Sequence, residues 1–338
     1  MSGYFRKKES KSENTYSFIV CFLTKKEEER MSKRCEVRCL RQKTQAQVPF
    51  WVSYLPAGWR ERYILRHRPY VVTEEGEQIS ISLQTDGNSC YLPVWREAAQ
   101  QALQEAKASG AVIAVSPLAA DLPQDILPFA DGRRLTALFA GEGVAEALRR
   151  MGKDPHACRL VVADGNGVQA VLATLPENIN HLGVWTDRAE EFMVWQEEML
   201  EERGLVTEVF ASLGHAAFRS ADAVISCAKD GKGMVYAFAK QAFCLDLGAN
   251  CGLLHNLTQQ RQDVQMADGL CFSIEQGHML AADAEAWAYC KIEAFRTCFH
   301  NWTPQTAKEA KAALIAAGVR PIGLQLFGKR CKIRKIAG

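Results

Sequence analysis

The stretch "CRLVVADGNGVQAVLATL", residues 158–175, decides how the rest of the chain is read. An apolar run at 160–163 meets Asp164, Gly165, Asn166 and Gly167, and a second apolar run follows at once. The first run has the length and β-branched content of a buried strand, and the second suits a helix. A glycine-rich turn between them is either a plain tight connection or a cradle for an anion. The amides and aligned dipoles of a helix start favour negative charge. The surrounding sequence has to separate these two readings.

Downstream, the alternation is regular. "HLGVWTD" (181–187) predicts a strand and "RAEEFMVWQEEMLEERG" (188–204) a helix, with Phe192, Trp195, Met199 and Leu200 on one face. "LVTEVFA" (205–211), "ADAVISCA" (221–228) and "QAFCLDLG" (241–248) predict three more strands. Short apolar strands separated by helices imply an α/β fold, a doubly wound parallel sheet covered on both faces. Residues 303–321 predict a terminal helix, with Thr303 as N-cap, Pro304 in its first turn and Gly318 and Pro321 beyond its end.

Upstream, residues 1–34 are rich in Lys, Glu and Ser and read as a disordered leader. "YSFIVCFL" (16–23) has the length of a short signal-peptide core. The "TKKEEER" that follows stands where small cleavage-site residues belong, so a leader or a start at Met31 is the preferred reading. "FWVSYL" (50–55), "RYILRHRPYVV" (62–72) and "QISISL" (78–83) predict strands. Residues 93–110 predict a helix, "AVIAVSP" (111–117) and "RLTALFAG" (134–141) strands, and 142–152 a helix. The organisation expected is a smaller N-terminal α/β substrate domain at 35–150, a dinucleotide-binding domain at 151–300, and a helix and tail at 301–338.

Composition narrows the function classes. A net charge of +2 over 338 residues gives no electrostatic case for nucleic acid or an anionic membrane surface. No run approaches the roughly 18 apolar residues of a membrane helix. The cysteines are scattered, with no CxxC pair, which suits reduced thiols and a cytoplasmic protein. Cys244, Cys251, His255, Cys271 and His278 match no zinc spacing, so no metal is expected. Arg60, Arg62, Arg66, His67 and Arg68 form either a solvated strand face or a grip for an anionic substrate.

In this setting Gly165, Gly167 and Ala170 form G-x-G-x-x-A between a strand and a helix, and Asp187 ends the next strand where a ribose-binding acid belongs. Asp187 with Glu190 also fits a capping box, which would explain both without a ligand. A rival turn, "FAGEGVAE", offers Gly141 and Gly143, with Asp164 at a comparable distance.

On "ADGNGVQA", "VWTDR", "DAVISCA" and "LDLGAN", residues 130–320 resemble two-domain NAD(P)-dependent dehydrogenases of the shikimate and amino-acid dehydrogenase type. The resemblance implies a Rossmann-like dinucleotide-binding domain and an oxidoreductase acting on a small polar metabolite held between two domains. It implies cofactor contacts at Gly165, Asn166, Gly167, Asp187, Arg188 and Gly248, with Ser226 and Cys227 beside the nicotinamide ribose. The family's catalytic lysine has no match: only Lys43 and Lys107 stand between 35 and 150. NADP or NAD both remain open, since Asp187 suits a free 2′-hydroxyl and Arg188 a 2′-phosphate, with NADP the preferred expectation because an always-charged guanidinium can pair with the extra phosphate. Asp246 and His255 are the candidates for proton exchange. Partners expected are the small-molecule substrate and a second copy in a homodimer.

Two alternatives stand. "FCLDLGANCGLLH" (243–255) resembles the first motif of S-adenosylmethionine-dependent methyltransferases, with Gly248 and Gly252 approaching the cofactor. The chain after Gly252 is short for the rest of such a sheet. A protein that binds a dinucleotide without catalysis is the other, because fold does not fix function.

Overall fold

The computed structural model describes residues 16–22, 34–39, 50–67, 70–75, 78–83, 93–115, 125–177, 179–211, 216–229, 232–248, 252–275 and 277–333. Lys43, Arg68 and Cys251, and the leader apart from 16–22 and Arg34, lie outside them. The chain divides into two compact units between Phe129 and Ala130. The expected boundary was at 150.

The first unit carries β1 (Tyr16–Phe22), β2 (Arg34–Cys39), α1 (Ala57–His67), β3 (Tyr70–Glu75), β4 (Gln78–Leu83), α2 (Pro93–Ala108) and β5 (Ala111–Val115). A short β6 (Phe129–Ala130) lies at the division. They form a mixed sheet in the order β3-β4-β2-β1-β5-β6, with β2 and β4 parallel and β1 antiparallel to both β2 and β5. Three expectations are corrected here. Tyr16–Phe22, read as part of a leader, is a strand, in keeping with its β-branched and aromatic run. Residues 62–67 are the end of α1, so Arg60, Arg62, Arg66 and His67 sit on a helix rather than a strand. The strand begins only at Tyr70. "FWVSY" is a 3₁₀ turn leading into that helix.

The second unit begins with α3 (Arg133–Leu138) and α4 (Ala140–Met151). There follow β7 (Arg159–Ala163), α5 (Val168–Thr174), β8 (His181–Thr186), α6 (Ala189–Arg203), β9 (Thr207–Ala211) and α7 (Ala216–Arg219). Next come β10 (Ala223–Ser226), β11 (Phe243–Asp246), α8 (Gly252–Gln260) and β12 (Gln265–Ala267). The chain closes with β13 (Gly269–Ile274), β14 (Gly277–Met279), α9 (Ala281–Lys291), α10 (Glu293–His300), α11 (Pro304–Ala316), β15 (Arg320–Leu326) and β16 (Lys329–Cys331).

Strands β7 to β12 form one sheet in the order β9-β8-β7-β10-β11-β12, parallel at every pairing. In order of appearance this is 3-2-1-4-5-6, the doubly wound, Rossmann-like order in which the connections reverse between the first and fourth strands. Central strands β7, β10 and β11 are buried almost throughout, as expected of strands covered on both faces. The terminal helix is capped as its sequence predicts: Thr303 Oγ1 accepts from the Thr306 amide at 3.2 Å, with Pro304 in the first turn.

Residues 134–141, expected as a strand, are helical. A short apolar run does not distinguish strand from helix by period, and the deciding group lies 150 residues away. Glu285 on α9 is fully buried and accepts the amides of Leu135 (2.8 Å) and Asp131 (3.2 Å), capping α3 from across the unit. Gly141 and Gly143 are helix-packing glycines inside α4: methyls there would collide with Pro176 and with Leu270 Cδ2. That removes the rival turn. Residues 320–331, expected as a tail, add β15 and β16 to an antiparallel sheet of order β14-β13-β15-β16.

Candidate functional site

The carboxyl ends of β7, β8, β10 and β11 bring most of the predicted residues to one edge of the sheet. The parallel registers place Ala163 beside Ser226 and Ser226 beside Asp246, so Asp164, Cys227 and Leu247 leave the sheet at one level. The ladder runs on past the strands: Cys227 N donates to Ala163 O (3.0 Å) and Leu247 N to Ser226 O (2.7 Å).

Three loops emerge there in close backbone contact. A methyl on Gly165 would overlap the Cys227 carbonyl oxygen, and one on Gly248 would overlap that of Ala228. The loop after β10 is therefore clasped between two glycines. Their missing side chains permit this loop-to-loop approach. Gly165 and Gly248, both expected as cofactor contacts, thus have a packing reason of their own to be glycine.

Gly167 differs. It caps α5 with φ +87°, a left-handed conformation, and the position a Cβ would take is 3.0 Å from the indole Nε1 of Trp302. Trp302 follows α10, next to α11, which packs along α5. The space a side chain would occupy is thus bounded by an N–H donor and lies at the start of a helix. Asn166, exposed, sits at the tip of the turn. This donor set suits a phosphate.

At the end of β8, Asp187 is exposed and does not cap α6, whose N-cap is Arg188 with no side-chain cap bond. The capping-box explanation of Asp187 falls, and the carboxylate is left facing solvent beside the turn. Arg188 is occupied differently. Its Nε and Nη2 donate to Asp164 Oδ2 (3.1 Å) and Oδ1 (2.8 Å), and its Nη1 to Glu191 Oε2 (2.8 Å). Thr186 Oγ1 donates to the same Asp164 carboxylate at 2.5 Å and accepts from the Arg188 amide at 2.9 Å. Nothing in the sequence pattern signalled Asp164 as a partner of Arg188; they are adjacent only because β7 and β8 pair.

Asp246 closes β11 and is 3 % exposed, with Oδ1 accepting from Gly248 N at 3.0 Å. Burial pushes its carboxyl up to about 6, against the pull of that amide. Asp268, just after β12, is also raised by burial, and Arg133 at the start of α3 lies within electrostatic reach of both. Sequence reasoning missed Asp268 and Arg133. Cys227 is buried, and desolvation holds its thiol up at about 12, so at neutral pH it is a neutral wall of the site. His255 is not brought to Asp246: it lies on the exposed face of α8, with Nε2 2.9 Å from Gln259 Nε2 one turn on.

A cavity of about 690 Å³ opens at the other edge, lined by Arg159, His181, Leu182, Val206 and Glu208 among others. It lies at the amino ends of β7 to β9, where Arg159 is ion-paired with Glu208. Doubly wound sheets bind ligands at the carboxyl ends. Among the described residues no three His, Cys, Asp or Glu side chains are grouped to hold a metal, and no helix is long and apolar enough to cross a membrane.

No protein-family model matches the sequence, and no curated protein does either. Solved structures do. A shikimate dehydrogenase in complex with NADP+ is similar with 12 % identity and a TM-score of 0.32, over 70 % of this chain and 85 % of that one. The shikimate 5-dehydrogenase of Listeria monocytogenes, in complex with shikimate and NAD, gives 11 % and 0.31 over 69 % and 86 %. A dipicolinate synthase chain from Bacillus halodurans gives 12 % and 0.32 over 56 % of this chain and 58 % of its own length. At such identities the likeness concerns the fold alone.

Proposed function

We propose that the second unit binds a nicotinamide dinucleotide along the carboxyl edge of its parallel sheet and acts as an oxidoreductase on a small polar metabolite. The observation that carries this reading is the conjunction of strand order 3-2-1-4-5-6 with a Gly167-capped turn after the first strand. The turn at Gly165, Asn166 and Gly167, with the first amides of α5 and the Trp302 indole N–H, would hold the pyrophosphate. Asp187 would accept from ribose hydroxyls, and the backbone at Ser226 and Cys227 would flank the nicotinamide half.

The bound cofactor supplies hydride transfer; the chain supplies the proton. Asp246 is the group for that task. It stands at the end of the fifth strand, its Oδ1 is fixed by the Gly248 amide, and burial brings its carboxyl to about 6, where it exchanges protons near neutral pH. Its own burial at the end of the apolar strand β11 sustains that shift.

The methyltransferase alternative needs the strand before "DLGANCG" at the point where the strand order reverses. Phe243–Asp246 instead lies one strand further out, between β10 and β12. A thermal-shift screen of the full chain against NAD, NADP and S-adenosylmethionine tests the reading. Stabilisation by a dinucleotide supports it, and stabilisation by S-adenosylmethionine alone hands the case to methyl transfer. Dinucleotide binding without turnover on any metabolite oxidised or reduced at a hydroxyl or amine would mark a non-catalytic binder.

A further inference from the structure

We infer that Asp164 makes this site selective for the dinucleotide without a 2′-phosphate, by taking Arg188 out of use. The inference rests on the dinucleotide reading above and names which cofactor that site takes. Arg188 follows the second strand directly and is, by position, the one residue of the "TDR" segment with a charge suited to a phosphate. Its guanidinium is committed elsewhere. Two of its nitrogens form the paired hydrogen bonds to Asp164 and a third bonds Glu191.

Asp164 is not a casual surface partner. Its side chain is 6 % exposed, under an Arg188 side chain that is 45 % exposed, and Thr186 Oγ1 donates to it from the neighbouring strand. Taking Arg188 away would leave a largely buried carboxylate with one hydroxyl for company, which a protein avoids at considerable cost. Among the described residues, the charges acting on the guanidinium are Asp164 on the β7 turn, Asp187 before it, and Glu191 on α6. One cation is thus outnumbered by three carboxylates. A 2′-phosphate, carrying close to two negative charges, would enter a negative field and compete with two carboxylates already bonded to the cation. A free 2′-hydroxyl meets no such opposition and can donate to the exposed Asp187 carboxylate.

Asp164 is therefore a positioning residue that acts through Arg188, and its removal should change preference rather than merely weaken binding. The test is direct titration of NAD and NADP, by calorimetry, into the full chain and into Asp164→Asn, Glu191→Gln and Asp164→Asn/Arg188→Ala variants. The wild type should bind NAD at least about tenfold tighter than NADP. Asp164→Asn should move the ratio toward NADP by about tenfold, the size of one charge-assisted hydrogen bond. The double variant should give that gain back, and Glu191→Gln should move the ratio the same way by less. A wild type that prefers NADP, or variants whose ratio stays at the wild-type value, overturns the inference while leaving the dinucleotide reading intact. A wild type that binds neither overturns both. If Asp164→Asn does not fold, the wild-type ratio and Glu191→Gln decide.

Discussion

Gly165 and Cys227 meet backbone to backbone, the α-carbon of one against the carbonyl of the other, with no room for a methyl group between them. Gly248 repeats the relationship with Ala228, so the loop that ends the fourth strand is held on both sides by glycines. Gly165→Ala and Gly248→Ala should each lower the melting temperature by about 5 °C or more, the scale of overpacking against unyielding backbone. Gly58→Ala is the control. No atom lies within 4 Å of the Cβ position there, in the first turn of α1, and the change should be neutral or stabilise by up to about 1 kcal/mol. Equal behaviour of all three variants would show that the loops are not in contact.

Gly167 is a poor place to test cofactor approach by bulk. Its φ of +87° and the neighbouring Trp302 mean that Gly167→Leu strains the turn itself. Such a variant should lose stability as well as any dinucleotide affinity, by about 1–2 kcal/mol from the left-handed backbone alone. Denaturant unfolding of the cofactor-free variant checks this, and a midpoint equal to wild type would contradict it.

Asp246 should set one limb of the pH–rate profile. With its carboxyl near 6, the rate in the direction in which substrate loses a proton should rise as pH passes through about 6 and then level off, because the base must be ionised. In the reverse direction the rate should fall over the same range. Asp246→Asn should cut turnover by about 10² to 10⁴ while dinucleotide binding persists. Full turnover in that variant would remove Asp246 from the reaction. His255→Gln should leave turnover unchanged, since its ring lies on the exposed face of α8.

Glu285 should make the second unit lose stability as pH rises. Burial and the neighbouring Asp131 hold its carboxyl well above the ordinary range, against the Leu135 amide that favours the ionised form. The unfolded chain releases this proton first, so stability is greatest below the usual glutamate value of about 4.3 and declines from there through neutrality. Glu285→Gln should flatten that decline. Glu285→Ala, which strands two amides at the start of α3, should cost about 3 kcal/mol. Denaturant midpoints at pH 5 and pH 7.5 measure both, and an unchanged slope in Glu285→Gln would contradict the assignment.

The parallel sheet was legible in the sequence because each strand carries its own signal. Residues 160–163, 182–186, 223–226 and 243–246 are short apolar runs bounded by turn residues, and a strand buried on both faces needs little else. Helix α11 was legible for the same reason, since Thr303, Pro304 and Gly318 mark its ends locally. What escaped depended on distant partners. Helix α3 owes its amide partners to Glu285, and β15 owes its ladder to β13, about fifty residues earlier. The site divided likewise. Gly167 and Asp187 could be placed from spacing, whereas the occupation of Arg188 by Asp164 and of the glycine gaps by Cys227 and Ala228 required strands to be laid side by side.

Dinucleotide binding at the carboxyl edge of the sheet is measured by calorimetric titration of NAD into the full chain and into Asp187→Ala, side by side. Asp187 is exposed, caps no helix and can be removed without disturbing the fold. The wild type should show saturable one-to-one binding and the variant about tenfold or greater weakening, from lost hydrogen bonds to a charged acceptor. No saturable heat with the wild type, or identical affinity in the two proteins, would contradict binding at this edge.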